Sequence, residues 1–412
     1  MYLIKIAWRN LWRRKRRTFV TAGVLALAVF IFLLMDSLMG GMGDISYNNI
    51  IDFESAHLEI GLEEYFEAEE DTNRLRQAFP VEDSLINNIE GIDGYQSHVQ
   101  ALDFQANISS GRDEFPLRVR AVEPDRYSQV FNTEEYITDG QFINPGDEGL
   151  VIGDRLSRLL EIGVGDYFTL LFRDTTGSFN TIDGEIQGIV STPHPDMNLG
   201  VVLYDINQAR QWTGVEENAS TRIFVRLDDR ERATGIFSDL TNRLQGGLTA
   251  RSWEDSAEMM LAMEAVGQIE NYVILGLILL IGAVGIVNVI ILSALERVEE
   301  IGMMKAMGLK EKEIVKIFSY EATGIGLIGS SLGCLIAGIV NYFFTSYGVA
   351  MDAIITEDTT YGIPILGRLY GSWNPNAFLF IFIFGIIVAM IASIPPAYWA
   401  ARKDPIKAIY HR

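Results

Sequence analysis

Residues Tyr272–Leu295 read YVILGLILLIGAVGIVNVIILSAL, 24 residues without one Lys, Arg, Asp or Glu. A bilayer core about 30 Å thick is crossed by roughly 20 residues of helix, so this stretch is long enough to span it. Each Lys or Arg at the centre of such a helix would cost about 2.5–3.5 kcal/mol. Three more segments, Thr18–Gly40, Ala322–Phe344 and Ala377–Ala400, also lack Lys and Arg. The third helix is expected over residues 317–345, around its apolar run. The first segment is too long for a usual secretory h-region and no A-x-A site follows it, so it reads as an uncleaved anchor.

Basic residues set the orientation of such spans. Lys5, Arg9, Arg13, Arg14, Lys15, Arg16 and Arg17 precede the first span, Arg297, Lys305, Lys310, Lys312 and Lys316 lie between the second and third, and Arg402, Lys403, Lys407 and Arg412 follow the fourth. All three groups belong on the cytoplasmic side. The expected organisation is a basic amphipathic N-terminus (1–17), span one (18–40), an outer domain (41–268), span two (272–295), an inner loop (296–316), span three (317–345), an outer loop (346–376), span four (377–400) and a cytoplasmic tail (401–412). The fold class is thus an α-helical membrane protein with four transmembrane helices and a mixed α+β extracytoplasmic domain.

Charge is segregated along the chain. Residues 1–40 carry +6, residues 41–268 carry −26 and residues 269–412 carry −1, against −21 for all 412 residues. An outer domain this acidic is unsuited to nucleic acid, whose phosphates need Lys and Arg. Cys334 is the sole cysteine, and His57, His98, His194 and His411 are scattered. An intrachain disulfide is excluded, and no metal site is expected. The chain lacks a G-x-S-x-G elbow, an H-E-x-x-H pair and a Walker A loop, so no catalytic residue is assigned.

In the outer domain, strands are expected at His57–Ile60, Phe115–Val122, Tyr167–Phe172, Glu185–Val190, Gly200–Tyr204 and Arg222–Leu227. Helices are expected at Asp154–Leu160, Asp205–Trp212 with Asp205 as N-cap, and Arg230–Leu244. The acidic stretch Glu63–Asp71 reads as a solvated loop, and Thr192–Asp196 as a stiff connection. Ser252–Gly267 is helical in pattern and reads as a rigid stalk leading into the second span.

The inner loop, Leu295–Tyr320, reads LERVEEIGMMKAMGLKEKEIVKIFSY. Val298, Ile301, Met304 and Met307 recur every third residue and suggest one broad apolar helical face. Gly308 is placed to end that helix, and Ile314, Ile317 and Phe318 begin another. Protruding Met and Ile suit docking into a groove of a partner; an interfacial helix lying on lipid fits the same pattern.

The run Glu296–Gly308, ERVEEIGMMKAMG, resembles the coupling-helix motif of FtsX/MacB-type ABC transporter permeases, roughly R-x-x-E-I-G-x-x-K/R-A-x-G. Arg297, Glu300, Ile301, Gly302, Lys305, Ala306 and Gly308 occupy its positions, and Glu321 matches an acidic residue that often follows. Pro396–Pro405 is similar to the family's P-x-x-x-A-A-x-x-x-P ending, and Ala7–Arg14 to its amphipathic N-terminal helix. Ser55–Ile60 and Gly153–Asp166 resemble runs of the lipoprotein-releasing (LolC/LolE-like) branch. The long hairpin insertion with which that branch grips its soluble carrier is not evident between Phe172 and Val201.

The resemblance implies a MacB-like periplasmic domain and a bacterial inner-membrane location with both termini cytoplasmic. It implies a non-catalytic permease subunit that binds no cofactor directly; ATP and Mg belong to a partner, a cytoplasmic ABC ATPase. A homodimer or a sister permease, membrane lipids, and a lipoprotein with a periplasmic carrier or adaptor are the other implied partners. Glu296, Arg297, Glu300, Ile301, Gly302, Met304, Lys305, Met307 and Gly308 are the implied ATPase-coupling residues. Gly282, Gly285, Gly329 and Gly333 offer small surfaces for helix packing, by sliding or by static contact. Glu321 is an acidic candidate at membrane depth, with snorkelling as its alternative. The implied function is mechanotransmission for lipoprotein release. MacB-like efflux of peptides or drugs and FtsX-like signalling to a cell-wall hydrolase are alternatives within the family, and a membrane-anchored enzyme or receptor is one outside it.

Overall fold

The computed structural model describes residues 2–13, 15–68, 72–109, 114–296, 298–350 and 368–402. Its two compact units are drawn from Met1–Met42, Met263–Val349 and Leu369–Arg412, and from Gly43–Ala262 and Ala350–Arg368.

The first unit is helical. Its elements are α1 (Tyr2–Arg13), α2 (Lys15–Ile50), α3 (Glu258–Glu296), α4 (Val298–Ala306), α5 (Glu311–Tyr347) and α6 (Pro375–Ala401). Four helices, Thr18–Ser55, Glu258–Glu296, Glu311–Tyr347 and Pro375–Ala401, are long and apolar enough to cross a membrane. All four run past the apolar stretches that mark them. Helix propensity continues into polar residues such as Asp44 and Glu264 after hydrophobicity has ended, so hydropathy locates a span and not its helix ends. The stretch read as one stalk is two pieces: Trp253–Ser256 forms a short helix, and α3 starts at Glu258. The Asp255 carboxylate accepts the Ser252 backbone N–H at 2.9 Å and caps the start of the short helix, and the break falls at Ala257.

Small residues draw these helices together. A Cβ at Gly329 would lie 2.8 Å from the Ala22 carbonyl oxygen, and one at Gly333 2.6 Å from Val29 Cβ, so this face of α5 seats on α2. A Cβ at Gly326 would lie 2.9 Å from Ala389 Cβ on α6. Residues 370–374 lead into α6, and helix side chains satisfy their backbone. The Asn341 amide donates to Ser372 O at 3.1 Å, Thr345 Oγ1 donates to Gly371 O at 3.0 Å, and Ser37 Oγ donates to Asn341 Oδ1 at 2.5 Å. Side-chain partners of this kind satisfy backbone groups that no helix or strand pairs.

The second unit is an α/β domain around one mixed ten-stranded sheet. Its strands are β1 (Leu58–Leu62), β2 (Tyr95–Ser109), β3 (Glu114–Val122), β4 (Ile137–Gly140), β5 (Leu150–Gly153), β6 (Tyr167–Arg173), β7 (Phe179–Val190), β8 (Val201–Asp205), β9 (Arg222–Leu227) and β10 (Leu248–Ser252). The order is β10-β1-β9-β2-β3-β8-β5-β7-β4, with β6 bridging β2 and β7. β3 runs parallel to β8 and β5 parallel to β7; the other pairs are antiparallel. Asp205 caps the helix Ile206–Thr213, accepting from the Asn207 and Gln208 N–H groups at 2.8 and 3.0 Å. Glu63–Glu67, read as loop, forms one helical turn with Tyr65 buried beneath it; residues 69–71 lie outside the described residues. Pro195–Gly200, beyond the stiff Thr192–His194 turn, is also helical, with Pro in the first turn where its missing N–H is no loss.

Charged side chains are buried in this sheet. Arg222 pairs with Glu59 Oε2 at 2.8 Å and with the Asp103 carboxylate, which Arg120 also approaches at 3.5 Å. The Arg120 and Arg222 guanidinium groups also lie against the Phe224 ring, 4.7 and 4.6 Å from its centroid. Burial alone would raise the Asp103 carboxyl, but the Arg222, Arg120 and Arg118 charges outweigh it and hold the group below its ordinary range.

Candidate functional site

The loop between the second and third long helices folds as helix, tight turn and helix. At the end of α4, Gly308 adopts φ +96°, a backbone region open to glycine. The Leu309 N–H donates to Met304 O at 3.1 Å and the Gly308 N–H to Lys305 O at 2.9 Å. This pair of bonds is a Schellman motif with Gly308 at C′. α5 begins three residues later, at Glu311, and Glu313 accepts the Lys310 N–H at 2.8 Å. Both helix ends are therefore closed by their own residues, which holds α4 at a set angle to α5.

A groove of about 460 Å³ lies between α1, α4 and the first turns of α5. Ile6 and Asn10 line it from α1, Ile301 and Met304 from α4, and Ile314 and Phe318 from α5. Arg13 Nη1 meets Glu300 Oε1 at 3.3 Å at the α1–α4 edge, and Lys305 Nζ lies 3.8 Å from Glu311 Oε1.

The apolar face expected on α4 is corrected in part. Ile301 is 4% exposed and packs inward with Met304, whereas Met303 and Met307 are 54% and 73% exposed. A three-residue step turns a helix by about 300°, so positions counted by threes drift around the axis. Met307 therefore leaves the packed face and Met303 joins it outside. The protruding residues are Met303 and Met307, and Ile301 is an anchor. Gly302 is buried, Glu296 is exposed, and Arg297 lies outside the described residues.

The other singled-out residues lie elsewhere in the helical unit. Gly329 and Gly333 contact α2. A Cβ at Gly282 would lie 4.0 Å from Leu25, and at Gly285 nothing lies within 4 Å. Glu321 is 7% exposed, one turn beyond Phe318 on α5. Among the described residues no group of three His, Cys, Asp or Glu side chains could hold a metal ion. What this surface offers is apolar contact, edged by charge. Asn10, Arg13 and Met303 are the participants that motif reading missed; the amphipathic pattern of residues 2–13 is the signal that could have found the first two.

Residues 18–243 match the family described as "MacB-like periplasmic core domain", and residues 272–405 match "FtsX-like permease C-terminal". The chain belongs to the FtsX/MacB-type ABC transporter permeases. Among this permease's relatives is the lipoprotein-releasing system transmembrane protein LolC of Xylella fastidiosa, 20% identical over 73% of this chain and 75% of that protein. The corresponding LolE of Haemophilus influenzae is 21% identical over 75% of this chain and 76% of its own length. The macrolide export ATP-binding/permease protein MacB of Pasteurella multocida is 30% identical over 32% of this chain and 17% of that protein. The periplasmic region of MacB from Actinobacillus actinomycetemcomitans aligns with a TM-score of 0.34 and 12% identity, covering 52% of this chain and 95% of that structure.

Proposed function

We propose that this permease couples ATP hydrolysis in a separate cytoplasmic ATPase to movement of its periplasmic domain, and that this movement releases a lipoprotein from the inner membrane. The observation that carries the reading is the groove beside α4. Met303 and Met307 protrude from a helix whose end is fixed by Gly308, a form that suits insertion into a partner's cleft. Lipoprotein release is favoured by LolC and LolE relatives that align over about three quarters of the chain.

In this account ATP and Mg bind the partner, and residues Glu296–Gly308 transmit its motion. The α4 loop and both termini face the cytoplasm, and two permease copies, or this one and a sister, form the pathway. Gly329 and Gly333 set the spacing of the first and third spans, and Glu321 serves at the inner end of the third. Efflux is the second reading, favoured by the 30% identity to MacB.

Recovery of the tagged full chain from its native membrane in mild detergent, followed by mass spectrometry, tests this. A co-purifying P-loop ATPase with lipoproteins or a lipoprotein carrier supports release. An ATPase with a periplasmic adaptor supports efflux. Failure to recover any ATPase, in conditions that preserve other membrane complexes, overturns the proposal.

A further inference from the structure

The four apolar runs contain two asparagines, Asn288 in α3 and Asn341 in α5. Asn341 is 4% exposed, and its amide is used twice, donating to Ser372 O and accepting from Ser37 Oγ. Asn288 is exposed, and no hydrogen bond reaches its side chain among the described residues. It stands seven residues before the end of its run at Leu295, about 10 Å inside it along the helix. Hydrocarbon offers a carboxamide no donor or acceptor, so an amide turned outward at this depth is costly until another protein group meets it.

The face that carries Asn288 has a spacing of its own. Leu277, Ile281, Val284, Asn288, Ile291 and Leu295 follow one another in alternating steps of four and three. Leu277, Ile281, Val284 and Leu295 are between 46% and 64% exposed, and Ile291 is partly so. Steps of four and three repeat every seven residues, which is the seam of a two-stranded coiled coil. In that repeat Ile281, Asn288 and Leu295 take the a positions, and Leu277, Val284 and Ile291 the d positions. Contact with lipid requires neither this period nor an amide within it.

We infer that α3 pairs along this seam with α3 of a second copy of this chain, Asn288 against its counterpart. The inference rests on the reading that two permeases form the pathway, and it selects a second copy over a sister. Two copies inserted with the same topology hold their α3 helices parallel, and a two-fold axis along the membrane normal brings each a position onto itself. A carboxamide both donates and accepts, so two such groups satisfy each other. A second copy supplies the matching amide at the same depth without further provision. A single asparagine at an a position also fixes register and favours two strands.

Disulfide trapping in native membranes tests the pairing, in a full-length Cys334→Ala background oxidised with copper phenanthroline. Asn288→Cys should give at least about fivefold more crosslinked dimer than Leu280→Cys, about 80° round the same helix, or Leu335→Cys on the exposed face of α5. Differently tagged wild-type copies should co-purify in mild detergent. Asn288→Leu keeps the seam apolar but removes the amide pair, and should raise the dimer dissociation constant by about tenfold, read by energy transfer between labelled copies. Crosslinking at residue 288 no greater than at 280 and 335, with tagged copies still co-purifying, overturns this seam and leaves the paired reading standing. Recovery of one copy of this chain beside a different permease overturns the second copy in favour of a sister.

Discussion

The Arg13 guanidinium lies 3.3 Å from the Glu300 carboxylate, joining α1 to α4 across 287 residues of sequence. Both side chains are well exposed, and such a pair is worth about 0–1 kcal/mol at most. Its consequence is geometric: it pins the rim of the groove. Glu300→Lys should therefore leave membrane insertion intact and the unfolding midpoint nearly unchanged, while ATPase activity coupled to this permease is lost. Coupled activity at the wild-type level would remove Glu300 from the docking surface.

Gly308 holds a φ of +96° and donates to Lys305 O at 2.9 Å. Proline fixes φ near −65° and has no N–H, so Gly308→Pro cannot form the turn. Gly308→Ala meets only the strain of the left-handed region, about 1–2 kcal/mol. Coupled ATP hydrolysis should be abolished in the proline variant and reduced in the alanine variant. Equal activity in the two would mean that the turn does not set the position of α4.

Two glycines in the helical unit should respond oppositely to the same substitution. At Gly333 a Cβ would stand 2.7 Å from the Ala26 carbonyl oxygen, but at Gly285 it would meet nothing within 4 Å. Overpacking of a tight contact costs about 1–3 kcal/mol. In detergent, Gly333→Ala should lower the unfolding midpoint and Gly285→Ala should not. A matching loss in both would indicate that Gly285 is covered by a partner, and no loss in either would contradict the α2–α5 contact.

His57 gives the outer domain a pH dependence of defined sign. Burial, aided by the Arg226 and Arg230 charges, holds the imidazole down to about 4. Its Nδ1 accepts the Leu227 N–H at 3.2 Å, which the neutral ring alone can do. The folded value lies below the unfolded one near 6.5, so the contribution is whole above about pH 6.5 and is lost as pH falls toward about 4. The loss is on the order of 3 kcal/mol. Thermal unfolding at about pH 7 and about pH 4.5 should show a larger drop for wild type than for His57→Asn, whose amide oxygen replaces the Nδ1 acceptor. Equal drops would exclude His57 as the cause.

Much of this architecture is legible in the sequence where one residue type dominates. The four apolar runs mark the long helices, and the β-branched and aromatic run Ile223–Val225 marks β9. The long β2 strand is harder. Phe104, Ala106 and Ile108 alternate with Gln105 and Asn107, but Ser97, His98 and Asp103 on the same strand are also buried. Asp103 belongs inside only because β9 and β3 bring Arg222 and Arg120 beside it from distant parts of the chain, and no local pattern reports that pairing. At the groove, Gly308 is readable from its position after α4. The exchange of Met303 for Ile301 on the outer face is not, because it depends on how α4 rotates against α5.

The most direct test of the central claim is ATP hydrolysis by the purified complex of this permease with its ATPase, comparing wild type with the Met303→Glu, Met307→Glu double variant. Neither side chain packs in the core of the helical unit, so the account predicts a folded, inserted permease that no longer retains the ATPase or its coupled hydrolysis. Retention of the ATPase with hydrolysis at the wild-type rate would contradict the account.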